Sequence, residues 1–503
     1  MAGENVIKDL VSRLSRANIL VAGDIRPDLV NELNAELILS RLLERYKNLE
    51  KLAIVNNEEI ENIVKALDLE KAPMPIEIVQ KTDFMPMASE VDARYTVSNN
   101  PIERAEGTVD DFVQHFKSRL EKMRKILETH RGAVSGVLPS VEALKTYTAG
   151  REVTLLGIVL NKIVTKNGNI MMILEDETGE AKVMFMNGSS KQARSLFESA
   201  GNIVNDEVLA VRGKISGPFV IASDIVWPDV QLKERKSTEE DIAIAMISDT
   251  HVGSKLFMEK NFTHFVKWLN GDVSGKTALA GKIKYLVIGG DVVDGIGVYP
   301  RQDRDLSILD VYNQYKTFFN FIRAIPEYIH VFIIPGNHDA VQRAEPQPEL
   351  TPDLIGDFHM ENVHLLPNPS FLTLHGVDLL AYHGTSLDSV IASIPNMSYA
   401  NPEKAMLEML KRRHLSPIYG GNIIVPSKND NLVIEKIPDI LQMGHVHKNG
   451  YASYHGVEIV NSGTWQARTD YQVMQGHIPT PCLMSVFETK TGNMSLVDFN
   501  REI

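Results

Sequence analysis

Five apolar runs in the second half of the chain stop at residues able to hold a metal ion. "IAIAMIS" ends in Asp249-Thr250-His251, "KYLVIGG" in Gly290-Asp291, and "HVFIIPG" in Asn337-His338-Asp339. "DLLAYHG" carries His383-Gly384, and "DILQMGHVH" closes on His445-Val446-His447. Taken singly, most have an ordinary reading. Asp249 and His251 suit a loop, Asp291 a turn or a helix cap, and His383 a hydrogen-bonded core histidine. His445-x-His447 is more pointed, because alternate residues of an extended segment can straddle two ions. Together the five stretches offer Asp249, His251, Asp291, Asn337, His383, His445 and His447 as candidate ligands, with His338 as a further histidine.

The runs are apolar at successive positions, as expected of strands buried on both faces. Helical stretches lie between them, among them Asn261 to Leu269 and Leu309 to Ile325, and further strands follow in "VEIVNSGT", "CLMSVFE" and "MSLVDFN". The alternation predicts a layered α/β domain over 236–503, and sites in such sheets form at the carboxyl ends of strands. Upstream, 141–235 holds about five short strands, with the hairpin "EDETGEAKVMF" and one helical stretch near Ser189 to Ala200 between the third and fourth strands. That order resembles an OB-fold barrel. It offers few groups for a nucleic-acid strand (Phe185, Lys182, Arg212 and Lys214), which favours a structural or protein-contact module. Residues 1–72 read as a small helical domain from "LNAELILSRLLERY" (Leu33, Leu37, Leu42, Leu43) and "NNEEIENIVKALDL", with Asn56 or Asn57 capping the last helix. Residues 73–140 read as a Pro-punctuated linker, Ala72 to Pro101, followed by an amphipathic helix marked by Val109, Phe112, Val113, Phe116, Leu120, Met123 and Leu127.

The order D-x-H, G-D, G-N-H-D, H-G, G-H-x-H resembles the calcineurin-like metallophosphoesterases. The resemblance implies that Asp249, His251 and His447 hold one divalent ion, that Asn337, His383 and His445 hold a second, and that Asp291 bridges them. It places His338 toward the substrate as a catalytic residue. Asp339 either orients His338 or caps a helix. A bridging carboxylate suits two cations about 3.5–4 Å apart, which lower the pKa of water. Oxygen and nitrogen donors without thiolate suit Mn²⁺, with Fe²⁺, Zn²⁺ or Mg²⁺ as alternatives. The longer strings "DGIGVYPRQDRDLSILDVYNQY", "IIPGNHDAVQRAEPQPEL" and "MLKRRHLSPIYGG" resemble the small subunits of archaeal family D DNA polymerases. That resemblance implies a proofreading 3′→5′ exonuclease acting on single-stranded 3′ ends. Its expected partners are a large catalytic polymerase subunit in a heterodimer, DNA, and a sliding clamp reached through the complex.

Composition sets the outer bounds. The net charge of −13 over 503 residues argues against a wholesale nucleic-acid binder acting alone. Arg301, Arg304 and Arg343 are the candidates for gripping DNA; solvated surface is their ordinary reading. Lys411, Arg412, Arg413 and His414 end a predicted helix, where cations favour its dipole. The single Cys482 excludes an intrachain disulfide and a thiolate zinc site. The polar opening "MAGENVIKDL" reads as neither signal nor anchor, and no run approaches the roughly 20 apolar residues of a membrane span. A soluble, cytoplasmic protein is expected. The rival readings are a non-catalytic scaffold subunit and a phosphoesterase for small molecules.

Overall fold

The computed structural model describes residues 2–17, 19–27, 29–30, 35–46, 53–71, 84–129, 136–273 and 277–501. It divides the chain into two compact units, Met1–Ile76 and Glu77–Ile503. The first unit carries helices Ala2–Arg16, Ala35–Tyr46 and Asn57–Lys71, as the periodicity predicts. It also contains two short strands that the periodicity does not reveal, β1 (Ile19–Val21) and β2 (Ala53–Val55), paired in parallel. Three-residue strands are too short to show an alternation. Leu10, Leu14, Ile38, Leu42 and Ile60 pack around them, whereas Leu43 is exposed and Leu33 lies outside the described residues. Asn56 is the cap of the third helix: its Oδ1 accepts the Glu59 N–H at 2.9 Å.

In the second unit, β4 (Glu152–Val164), β5 (Ile170–Asp176), β6 (Gly179–Phe185), β7 (Val208–Ser216) and β8 (Phe219–Val226) close a barrel in the order β4-β5-β6-β8-β7. Helix Lys191–Gly201 lies between the third and fourth of these strands, and the Ser190 hydroxyl accepts from the Ala193 N–H at its start. Val153, Leu155, Met172, Leu174, Phe185, Leu209 and Val220 fill the interior. Phe185 is therefore core, not a surface for stacking bases.

The rest of the unit is built on two six-stranded sheets. One contains β9 (Ala243–Ile247), β10 (Ile283–Gly289), β11 (His330–Ile334) and β12 (Val363–Leu365) in parallel, completed by β18 (Leu483–Glu488) and β19 (Asn493–Asp498). The other runs β16-β17-β15-β14-β13-β3, with β3 (Tyr95–Val97), β13 (Ser370–Leu374), β14 (Val377–Ala381), β15 (Ile440–Met443), β16 (Asn449–Tyr454) and β17 (Val457–Ser462). The sheets face one another through Ile244, Met246, Val287, Phe332, Leu372, Leu379, Ile440 and Val460. On the far side of the second sheet, Leu380, Leu441 and Ile459 pack with Met406 and Met409 of helix Pro402–Lys411. Burial on both faces accounts for the unbroken apolar runs. The chain divides them between two sheets, because β14 and β15 pair with each other and not with β9 to β11.

Two stretches depart from the sequence reading. Residues 72–83 of the expected linker lie outside the described residues, but 84–101 is built into the second unit. Ala88 is fully buried between the sheets, and β3 pairs antiparallel with β13 (Leu374↔Tyr95, Leu372↔Val97). The cationic run does close helix Pro402–Lys411, with Lys411 in its last turn and Arg412 as its C-cap, but Arg412, Arg413 and His414 are buried. Arg412 is buried between Glu207 and Glu408, and Arg413 donates to the Ile434 and Glu435 carbonyls at 2.7 and 2.6 Å.

Helix Val109–Thr129 joins these parts. Leu120, Met123 and Leu127 pack on Leu156, Ile158, Val208 and Ala210 of the barrel. Arg119 donates to Asp430 Oδ2 at 2.7 Å and to the Asp206 and Pro417 carbonyls at 3.0 and 3.1 Å. His414 donates its Nε2–H to the same carboxylate at 2.8 Å while its Nδ1 accepts the Ser416 N–H, so it is held neutral. Burial alone would raise Asp430; His414 and Arg119 against it hold its carboxyl well below the usual range. Burial, then the Arg119 charge, pushes His414 down to about 4.

Truncating Asp430 leaves the Arg119 charge uncompensated. Asp430→Ala should destabilise the second unit by about 3–5 kcal/mol in urea denaturation. His414 binds its proton near pH 6.5 when unfolded and only near 4 when folded, so the unfolded state takes up more protons between them. Its contribution is present above pH ~6.5 and lost as pH falls toward 4. Unfolding midpoints measured across this window should drop for the wild type and drop less for His414→Gln; parallel curves would refute the assignment.

Candidate metal centre

The loops after β9, β10, β11, β14 and β15 converge at the carboxyl ends of both sheets. Asp249, His251, Asp291, His445 and His447 all have left-handed backbone, with φ between 48° and 68°. Such non-glycine residues cost about 1–3 kcal/mol each and cluster where a site needs them. Here the sharp turn aims each side chain inward immediately after its strand. Gly336 and Gly444 leave the room this needs. A Cβ on Gly336 would lie 2.2 Å from Asp291 Oδ1, and one on Gly444 would lie 2.3 Å from Asp249 Oδ2.

Three overlapping groups keep donor atoms within 4.8 Å of one another: Asp249, His251 and His447; Asp249, Asp291 and His383; and His251, Asp291 and His338. His251 Nε2 and His447 Nε2 are 2.9 Å apart, and His447 Nε2 lies 3.4 Å from Asp249 Oδ1. Asp291 Oδ2 lies 3.7 Å from His251 Nε2 and 3.3 Å from His383 Nε2, so one carboxylate faces both halves of the cluster. In the second half, Asn337 Oδ1 is 3.0 Å from His383 Nε2 and 3.0 Å from His445 Nδ1. Every candidate ligand expected from the sequence is therefore brought together.

The surroundings aim these donors. His383 Nδ1 donates to the Gly289 carbonyl at 2.8 Å, leaving Nε2 free to ligate. His251 Nδ1 sits 3.0 Å from Asp294 Oδ1, which also accepts from Gln466 Nε2. The His338 N–H donates to Asp291 Oδ1 at 2.8 Å, and the His445 N–H donates to both oxygens of Asp249. Burial disfavours the charged imidazolium of His251, but Asp294, Asp291 and Asp249 outweigh it and push His251 up to about 9. His383 is pushed up to about 10 in the same way, by Asp291 against the effect of burial. Burial would raise Asp291, yet His383 and His338 hold it well below the usual carboxylate range. Buried carboxylates facing imidazole nitrogens in this way suit divalent cations.

His338 stands beside His251, with ring centroids 4.7 Å apart, and its Nδ1 donates to the Asp294 carbonyl at 2.8 Å. Neither reading of Asp339 holds. Its carboxylate accepts from the Gly336 and Val292 N–H groups and from Tyr315 OH. It thereby staples the Asn337 turn to the strand-β10 loop and has no bond to His338 among the described residues. Burial and the nearby Asp291 raise it to about 7. Arg301, Arg304 and Arg343 are exposed. Arg343 donates to the Gly297 and Val298 carbonyls, and Tyr299 of that loop lies 6.3 Å from the His338 ring. Sequence reasoning missed Asp294, Gln466, Asp388, which lies 3.2 Å from His445 Nε2, and Gln472, whose amide lies 2.9 Å from His447 Nδ1. Only Gln472 had a local signal: Thr469-x-x-Gln472 forms a capping box.

Residues 244–451 match the family model that describes the B subunits of DNA polymerases alpha and epsilon. The DNA polymerase II small subunit of Archaeoglobus fulgidus is 41% identical over 393 residues, covering 76% of each chain. That of Methanothermobacter thermautotrophicus is 34% identical over 502 residues, covering 98% of this chain and 100% of its own. The Methanocaldococcus jannaschii small subunit is 37% identical over 448 residues, 88% of this chain and 71% of its own. Matches of this extent, running through both units and every strand that carries a candidate ligand, place the chain in the family of DNA polymerase II small subunits.

Proposed function

We propose that this polymerase small subunit is itself a metal-dependent 3′→5′ DNA exonuclease that proofreads for a larger polymerising subunit. The observation that carries this reading is Asp291, a buried carboxylate facing both histidine groups at 3.3 and 3.7 Å. Asp249, His251 and His447 would hold one ion, Asn337, His383 and His445 the other, and Asp291 both. Divalent ions bound there supply Lewis acidity toward a phosphodiester and acidify water. Asp294 and the Gly289 carbonyl fix the rings of His251 and His383, and the Asp294 carbonyl holds His338 by Nδ1 so that its other nitrogen faces the substrate. His338 then serves proton transfer to the leaving oxygen. Mn²⁺ is the expected ion. Arg301, Arg304 and Arg343, on loops beside His338, are the proposed backbone contacts. We read residues 141–235 as an OB-fold that contacts protein, 236–503 as a calcineurin-like phosphoesterase domain, and 1–72 as a separate module.

The scaffold reading, in which the fold only holds the large subunit, draws on the acidic net charge of −13 and on the burial of Phe185 in the barrel. Metal content and a nuclease assay separate the two. With Mn²⁺, a 5′-labelled single strand should give a descending ladder; a chain that binds no metal and leaves the strand intact is a scaffold. Asp291→Ala should abolish cleavage and empty both ions by elemental analysis, whereas His447→Ala should empty mainly one.

His338→Ala should keep both ions and slow cleavage by roughly 10²–10⁴-fold. Metal loss in that variant would make His338 a ligand. The name "small subunit" on the relatives implies a heterodimer, with an apolar interface on the order of 2,000 Å² or more. Because 84–129 is part of the large unit, the truncation that tests this is 77–503, which should co-purify with the large subunit. No described helix is long and apolar enough to cross a membrane.

A further inference from the structure

Beside the His447 half of the centre, the segment from Arg468 to Ile478 presents apolar side chains to water. Tyr471 is 64% exposed, Val473 53%, Met474 76% and Ile478 66%. The segment is fixed to the site at three places. Gln466, just before it, donates to Asp294 Oδ1, the carboxylate that holds His251. Gln472 reaches His447 Nδ1 at 2.9 Å. His477 packs on Tyr399 with ring centroids 4.2 Å apart, and Tyr399 donates to Asp388, the carboxylate beside His445 Nε2. The capping box of Thr469 and Gln472 holds the short helix Asp470–Met474 that carries Tyr471. Arg468 at its start is exposed, and no ion pair engages it among the described residues.

The geometry points to this segment as the receiver of the unpaired 3′-terminal bases of a DNA strand, with Tyr471 as the stacking platform and Arg468 on the adjoining phosphate. The inference rests on the exonuclease reading and names the group that selects its substrate. The short helix that carries Tyr471 also carries Gln472, whose amide reaches His447 Nδ1, so the platform is tied to the His447 half of the centre. A single strand has the matching chemistry: a π-face for the phenol ring and an anion for the guanidinium. Paired bases keep their faces stacked on their neighbours, so the platform selects frayed ends.

The test uses the full chain in EDTA, so that binding is read without cleavage. Fluorescence anisotropy compares a single-stranded oligonucleotide with the same strand carrying abasic sites at its last two 3′ positions. The wild type should bind the natural end about tenfold or more tighter, within the range measured for one stacked base. Tyr471→Ala should lose that preference and Tyr471→Trp should keep it, with equal thermal midpoints as the control for folding. Equal discrimination by wild type and Tyr471→Ala, or no preference in the wild type, overturns the proposal. So does failure of Tyr471→Ala to co-purify with the large subunit, which would make this a protein interface. A chain that binds the natural end in this way yet never cleaves it would refute the exonuclease reading and leave the platform standing.

Discussion

The carboxylate of Asp291 is almost completely removed from water, and the site is organised around keeping it charged. A buried anion is costly unless it is paired and hydrogen-bonded. Asp291 accepts the His338 N–H and faces His383 and His251. Each of those rings is fixed in turn from behind, His383 by the Gly289 carbonyl and His251 by Asp294. The imidazoles raised to about 9 and about 10 reflect the same imbalance from the other side: the protein concentrates negative charge here.

That concentration is possible only because the surrounding backbone is stiff. Two facing sheets end at one edge, and left-handed turns follow directly on the strands. The turns are held by buried polar groups. Asp339 staples the Asn337 turn through two N–H groups and Tyr315. Gln442, in β15, donates to the Ile247 and Val287 carbonyls and so ties the second sheet to the ends of β9 and β10. Replacing the glycines that touch the carboxylates would push on this frame, since a Cβ at either position overlaps an oxygen.

The barrel is attached by charge as much as by apolar packing. Arg119 on helix Val109–Thr129, Asp430, and the Arg412 pairs with Glu207 and Glu408 are all sequestered where barrel and sandwich meet. Buried ion pairs are weak sources of net stability, but removing one partner is severe. Such an arrangement fixes one orientation of the barrel and penalises others.

The candidate ligand set was legible in the sequence because chemistry leaves it few alternatives. Donor-bearing residues at the ends of apolar strands have a small vocabulary, and short-range order preserved it in Asp249-x-His251, Asn337-His338 and His445-x-His447. The barrel's five strands and the helix between the third and fourth were legible for the same local reason. The role of Asp339, the burial of Arg412 and Arg413, and the recruitment of 84–101 into the second unit were not. Each depends on what a residue meets at a distance along the chain: Tyr315 for Asp339, Glu207 for Arg412, β13 for Tyr95. The sequence alone determined which atoms could bind metal. Only the tertiary structure decided which of the remaining polar residues orient those atoms, because orientation comes from partners distant in the chain, and apart from the capping box of Gln472 spacing along the chain carries no trace of them.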